Sequence, residues 1–171
     1  MSDPRTANRL PRHVDPRKLA AKAAHLQGDI PAEELPRLLE AVVSVEDAGV
    51  ELDFTRDQEH RFVVDGRYNL RVTMSCQRCM QPVQESLSGE VHVGVVWDEE
   101  RAAALPKRLD PWLVSSESAD LYELMEDEFL LALPIVAYHT EEDCAARGSF
   151  STVGHEVARE NPFSILAKLK K

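Results

Sequence analysis

Between residues 62 and 97 apolar and polar positions alternate with a period of two, with one interruption. Leu70, Val72 and Met74 interleave with Arg71, Thr73 and Ser75, and Leu87, Gly89, Val91, Val93, Val95 and Trp97 share one parity. Successive side chains of a strand point to opposite faces, so this pattern predicts strands with one face on a core and the other in water. The two runs read as a long antiparallel hairpin whose turn carries Cys76-Gln77-Arg78-Cys79. A further strand is predicted from Val50 to Arg56, after the punctuation Asp47-Ala48-Gly49.

Outside this region the period is helical. Asp15-Pro16 forms a start signal and Gly28 a stop, with Leu19, Ala23 and Leu26 on one face between them. A second short helix is predicted from Pro31 to about Val42, burying Leu35, Leu38, Leu39 and Val42. After a charged, irregular connection beginning at Asp98, a third helix capped by Ser118 or Asp120 runs to Leu133 and stops at Pro134. Its buried stripe is Leu121, Leu124, Met125 and Leu131 or Ala132, and Glu123, Glu126, Asp127 and Glu128 carry the exposed part. Ile135 to Tyr138 reads as a short strand or extended segment.

Ala145 to Glu160 is small and polar without either period, which reads as a linker. Asn161-Pro162 can start a last short helix with Phe163, Leu166 and Leu169 in a stripe and Lys170 near its end. These elements predict an α+β fold: an antiparallel sheet able to close toward a barrel, two amino-terminal helices, one acidic amphipathic helix and a short carboxyl-terminal helix. The expected organisation is one domain over residues 1–145, a flexible linker over 146–160 and an amphipathic peptide over 161–171. Asn161, Pro162, Phe163, Leu166, Leu169 and Lys170 are the candidate partner-binding residues, docking on the body or in a partner's groove.

Composition narrows the function. The 171 residues are 43% apolar and carry a formal net charge of -10, so the average surface repels phosphate and any nucleic-acid contact must be local. Arg5, Arg9, Arg12, Arg17, Lys18 and Lys22 face only Asp3 and Asp15 before residue 26, a basic opening that is either a contact for RNA or an acidic partner, or a solvated helix face. Three cysteines, an odd number, point to a reducing compartment rather than a disulfide scaffold. No signal-peptide core is present and the longest apolar run, Phe129 to Tyr138, is far shorter than the roughly 20 residues of a membrane helix. A cytoplasmic protein is expected.

Two thiols separated by two residues suit a soft metal ion, a disulfide switch or a tight turn. A thioredoxin-type pair opens a helix, whereas Gln81-Pro82-Val83 leads into a strand, which weighs against dithiol exchange. His139 and Cys144, separated by four residues, can complete a three-sulfur, one-imidazole tetrahedron for zinc with Cys76 and Cys79. The plainer alternative is a surface histidine and an ordinary buried thiol. A ribbon knuckle normally has glycine after its second cysteine, and Met80 stands there. Glu123, Glu126 and Asp127 are close on one helix, as a metal-dependent ribonuclease would need, but acidic residues there also complement the helix dipole.

Cys76-Gln77-Arg78-Cys79, then Glu126-Asp127-Glu128-Phe129-Leu130-Leu131-Ala132-Leu133-Pro134 with His139 and Cys144, then Asn161 to Lys170, taken in order with Val42-Val43-Ser44-Val45, resemble the YceD family of large ribosomal RNA subunit accumulation proteins. The resemblance implies a bacterial cytoplasmic protein, with plastid relatives, that supports synthesis, processing or stability of the large-subunit (23S) ribosomal RNA. It implies no enzymatic activity, and a ribosomal RNA element or an assembly protein as partner, with no membrane and no small-molecule substrate. Some relatives carry additional cysteines near the downstream half-site, where this chain has Cys144 with His139.

Overall fold

The computed structural model describes residues 9–140 and 142–146. Its centre is a five-stranded sheet in the order β2-β3-β4-β5-β6, comprising β2 (His25–Asp29), β3 (Ser44–Arg56), β4 (Phe62–Ser75), β5 (Pro82–Val96) and β6 (Asp110–Leu113). The predicted hairpin is β4–β5, antiparallel down to the pair Ser75 and Pro82. The sheet is open rather than barrel-like. After β5 the chain turns through α3 (Glu99–Ala103), capped by the Asp98 carboxylate on the Arg101 amide, and returns as β6 parallel to β5. The sheet is therefore mixed, with β2 and β6 as edges.

Parity decides the buried face. Val50, Leu52 and Phe54 of β3, Val64, Tyr68, Leu70 and Val72 of β4, and Val91, Val93 and Val95 of β5 join one core. Asp47-Ala48-Gly49 does not break β3; a register shift between Val45 and Asp47 absorbs the irregularity and returns Ala48 to the core face. Over this face lies α4 (Leu121–Ala132), with Phe129 edge-on to Tyr68 at 5.2 Å between ring centroids. Asp120 caps α4 by accepting from the Tyr122 and Glu123 amides at 3.0 and 3.2 Å.

Three helical expectations are corrected. The first helix is only α1 (Pro16–Ala21), with Asp15 accepting from the Arg17 and Lys18 amides. Ala23 takes a left-handed φ of 47°, and the chain leaves as β2, where Gly28 pairs with Val50 instead of stopping a helix. The second is split into a 3-10 turn (Ala32–Glu34) and α2 (Pro36–Ala41), because Pro36 has no amide to continue the first piece. Leu35 and Leu38 are fully buried, but Leu39 is 39% exposed. On α4, Leu131 is 82% exposed while Glu126, expected in water, is 4% exposed. Its carboxylate accepts from the Arg37 and Leu38 amides at 2.7 and 3.0 Å and from Arg37 Nε at 2.9 Å. Glu126 thus caps α2, whose own N-cap residue Leu35 has no side chain able to do so.

The amino-terminal cations are also placed differently from a solvated helix face. Arg9 and Arg12 pair with Glu34 at 2.6 and 2.7 Å, and Arg12 with Asp120 at 2.9 Å. Tyr122 donates its hydroxyl to the Leu10 carbonyl at 2.6 Å, and β1 (His13–Val14) pairs with β7 (Ala119–Asp120). This stitching holds the start of the described chain across the start of α4. Residues 135–138 run without strand pairing. Apart from Ala146, the expected linker and the candidate partner-binding residues 161–170 lie outside the described residues. No described helix is long and apolar enough to cross a membrane.

Candidate metal centre

The β4–β5 hairpin closes through a knuckle. The Cys76 amide donates to the Gln81 carbonyl and the Met80 amide to the Cys76 carbonyl, both at 2.9 Å. Met80 takes the left-handed φ of 59° that this turn requires. A second loop then folds over the tip. The Gln77 amide donates to the Ala137 carbonyl at 2.9 Å, and the Cys144 amide to the Thr140 carbonyl at 3.2 Å. Cys76, Val83, Ala137 and Cys144 form a small apolar cluster of their own, with Met74, Cys79 and Ala146 packed on it. The guanidinium of Arg78 lies over the Tyr138 ring, 5.4 Å from its centroid, tying turn to loop again.

All four residues singled out from the sequence meet here. One ligand atom from each of Cys76, Cys79, His139 and Cys144 lies within 4.8 Å of the others. Tetrahedral zinc, with Zn–S of about 2.3 Å and Zn–N of about 2.0 Å, separates its ligand atoms by roughly 3.5–3.8 Å, so small adjustments close the shell. His139 Nδ1 is 3.3 Å from Cys79 Sγ, and Nε2 is 2.8 Å from the Pro82 carbonyl oxygen. A carbonyl only accepts, so Nε2 carries the proton and, in the neutral ring, the Nδ1 lone pair faces the sulfurs. Three free thiols, a correctly oriented imidazole and burial of Cys76 and Cys144 fit a structural zinc ion with no position left for substrate.

The electrostatics favour negative sulfur at Cys76 and Cys79. Burial raises the cost of ionising Cys76, but the amides of Cys79, His139 and Arg78 are directed at its sulfur and carry its pKa down to about 5. The Gln81 amide likewise lowers Cys79 against the effect of burial. Burial pushes the Cys144 thiol up, opposed by the Ala146 amide. His139 is raised by hydrogen bonding to Cys76 and then to the Pro82 carbonyl. Amides aimed at a buried sulfur provide the fixed partial charges that a thiolate ligand needs. The supporting roles of Gln81, Pro82 and Ala137 were not identified from the sequence. The position after the second cysteine, noted from the sequence as the usual place of a glycine, is left-handed here with methionine in it.

The acidic trio of α4 turns to Arg37 and is not gathered as a group of metal ligands. Glu126 is used by α2, Asp127 pairs with Arg37, and the Glu123 carbonyl accepts from Arg37 Nη2 at 3.3 Å. Among the described residues, the cysteine–histidine cluster is the group of potential ligands close enough to share an ion.

A family model described as "Large ribosomal RNA subunit accumulation protein YceD" matches residues 64–170. A Haemophilus influenzae protein named "Large ribosomal RNA subunit accumulation protein YceD" is 36% identical over 169 residues, covering 95% of this chain and 97% of the relative. No solved structure matches the chain significantly. The match takes in both halves of the cysteine–histidine cluster and the hairpin that carries it, and on these similarities the chain belongs to the YceD family.

Proposed function

We propose that this protein is a non-enzymatic, cytoplasmic factor that supports accumulation of the large-subunit ribosomal RNA by binding to a precursor of that subunit. Membership of a family named for this role is the observation that carries the reading. The chemistry of the site supports binding over catalysis. Four ligands that close a tetrahedron leave a metal no open position, and the α4 carboxylates Glu126 and Asp127 are engaged by Arg37. Bound zinc holds the hairpin tip to the loop that ends the described chain; Asn161, Pro162, Phe163, Leu166, Leu169 and Lys170, farther along, then offer a contact for an assembly partner.

The test is crosslinking and affinity purification from growing cells under conditions that preserve weak complexes. Precursors of the large subunit are expected in the recovered material. Recovery of neither ribosomal RNA nor subunit precursors would overturn the reading, and RNA cleavage by purified protein with magnesium or manganese would replace it with a hydrolytic one.

A further inference from the structure

The end of the sheet remote from the cysteines carries a second cluster that the metal centre does not use. Arg56 and Phe62 are register partners flanking the β3–β4 turn, and Trp97 follows the last residue of β5. Phe62 and Trp97 meet edge to face, 5.6 Å between centroids at 84°. The Arg17 guanidinium lies 4.0 Å from the centroid of Trp97, and that of Arg56 lies 4.7 Å from the centroid of Phe62. The order is cation, aromatic, aromatic, cation.

These two cations differ from their neighbours. Arg61 and Arg108 are committed to Asp57, and Arg101 to Asp98. Neither Arg17 nor Arg56 has an ion pair with a described carboxylate; both are exposed, and the two rings are half-buried. In a chain of net charge -10, an aromatic face orients each guanidinium while its N–H edges remain in water. Glu99 and Glu100 in the first turn of α3 border the cluster beside Trp97 and oppose a phosphate on that flank, which leaves the line from Arg17 to Arg56 for a polyanion.

We propose that Arg17, Trp97, Phe62 and Arg56 form a binding site for single-stranded RNA, the two arginines holding phosphates and the half-buried rings contacting bases. Arginine and aromatic groups in one line answer both features of such a strand, its charge and its π faces, whereas an acidic peptide uses only the charge. By strand rise the site stands roughly 45 Å from the cysteine turn, so it is separate from the metal centre. It deepens the proposed function and rests on that reading for its biological partner.

The experiment measures binding of unstructured, end-labelled poly(U) to the full chain across a salt series, following the fluorescence anisotropy of the label. Single-strand binding weakens by about 0.7 log units per contacted phosphate for each tenfold rise in salt, so Arg17→Gln with Arg56→Gln is expected to flatten the slope by about 1.4. Trp97→Ala is expected to weaken binding roughly tenfold or more. The Arg17→Lys, Arg56→Lys variant retains the slope, and an unchanged melting temperature shows that the glutamine variant is folded. Unaltered affinity and slope in the folded glutamine variant overturn the site, as does displacement of poly(U) by polyglutamate at equal charge concentration. Absence of poly(U) binding, with precursors still recovered from cells, overturns the site and spares the proposed function. The expected slope change without recovery of precursors upholds the site and removes that function.

Discussion

Met80 shows that the knuckle keeps its left-handed backbone angle without a glycine. Its φ of 59° lies where an L side chain costs about 1–2 kcal/mol and glycine costs nothing sterically. Its side chain is 67% exposed, so little packing is lost on its removal. Glycine's larger unfolded-state entropy offsets part of the gain. Met80→Gly is expected to stabilise the protein by ~0.5–1 kcal/mol, read as a higher urea midpoint at unchanged m-value; a lower midpoint would show that Met80 makes a contact worth more than its strain. The pair Cys76 and Cys79 was legible because spacing alone turns two sulfurs together. His139 was a candidate ligand by its spacing from Cys144, but the orientation of its ring depends on the Pro82 carbonyl, 57 residues away in sequence.

Between elements, polar side chains settle what hydrophobic period leaves open. On a helical wheel Glu126 belongs with Glu123 and Asp127 in water. The structure buries it because α2 arrives with two uncapped amides and Arg37. Glu126→Ala leaves these donors without an acceptor in a buried place, and a loss of ~2–4 kcal/mol is expected by urea unfolding. Glu126→Gln keeps one acceptor oxygen and is expected to lose less. Equal losses for the two would mean that charge, and not capping, is what α2 requires. Gly89 tests the sheet in the same way. It pairs with Tyr68, and a Cβ there would stand 2.4 Å from the tyrosine hydroxyl oxygen. Tyr68 also meets Phe129 of α4, so Gly89→Ala moves the ring that seats the helix and should cost ~1–3 kcal/mol. Unchanged stability would show that Tyr68 has another rotamer at no expense.

For the whole molecule, the cysteine–histidine cluster joins regions 60 residues apart through an apolar patch much smaller than the main core. Zinc bound only by the folded site adds its binding free energy to folding. Protein purified without added metal is expected to contain zinc in a one-to-one ratio, and chelation to lower the melting temperature by several degrees. Hydrogen exchange should rise first at the amides of Gln77, Met80 and Cys144. Cys76→Ser and Cys144→Ser are expected to lose the ion and reproduce this pattern. Absence of zinc, with exchange unchanged on chelation, would leave the cluster as packed thiols. The same view reassigns the amino-terminal basic residues: Arg9 and Arg12 hold α4 and the 3-10 turn together, and Arg17 is left facing Trp97.

By itself the sequence determined the long hairpin, because the period of two over β4 and β5 has one solution that buries a face. It also determined α4 and its end at Pro134, and it named Cys76, Cys79, His139 and Cys144 as one candidate set, whose two halves only the tertiary structure brings together. Only the tertiary structure decided that residues 25–29 form an edge strand, that β6 returns parallel to β5, and that Glu126 is inside. Each of these depends on a partner distant in the chain: β3 supplies the ladder that β2 completes, β5 receives β6, and α2 supplies the amides that make a buried carboxylate stable. Local period records which face of an element is apolar; it carries no record of which hydrogen-bonding groups another element will present to it.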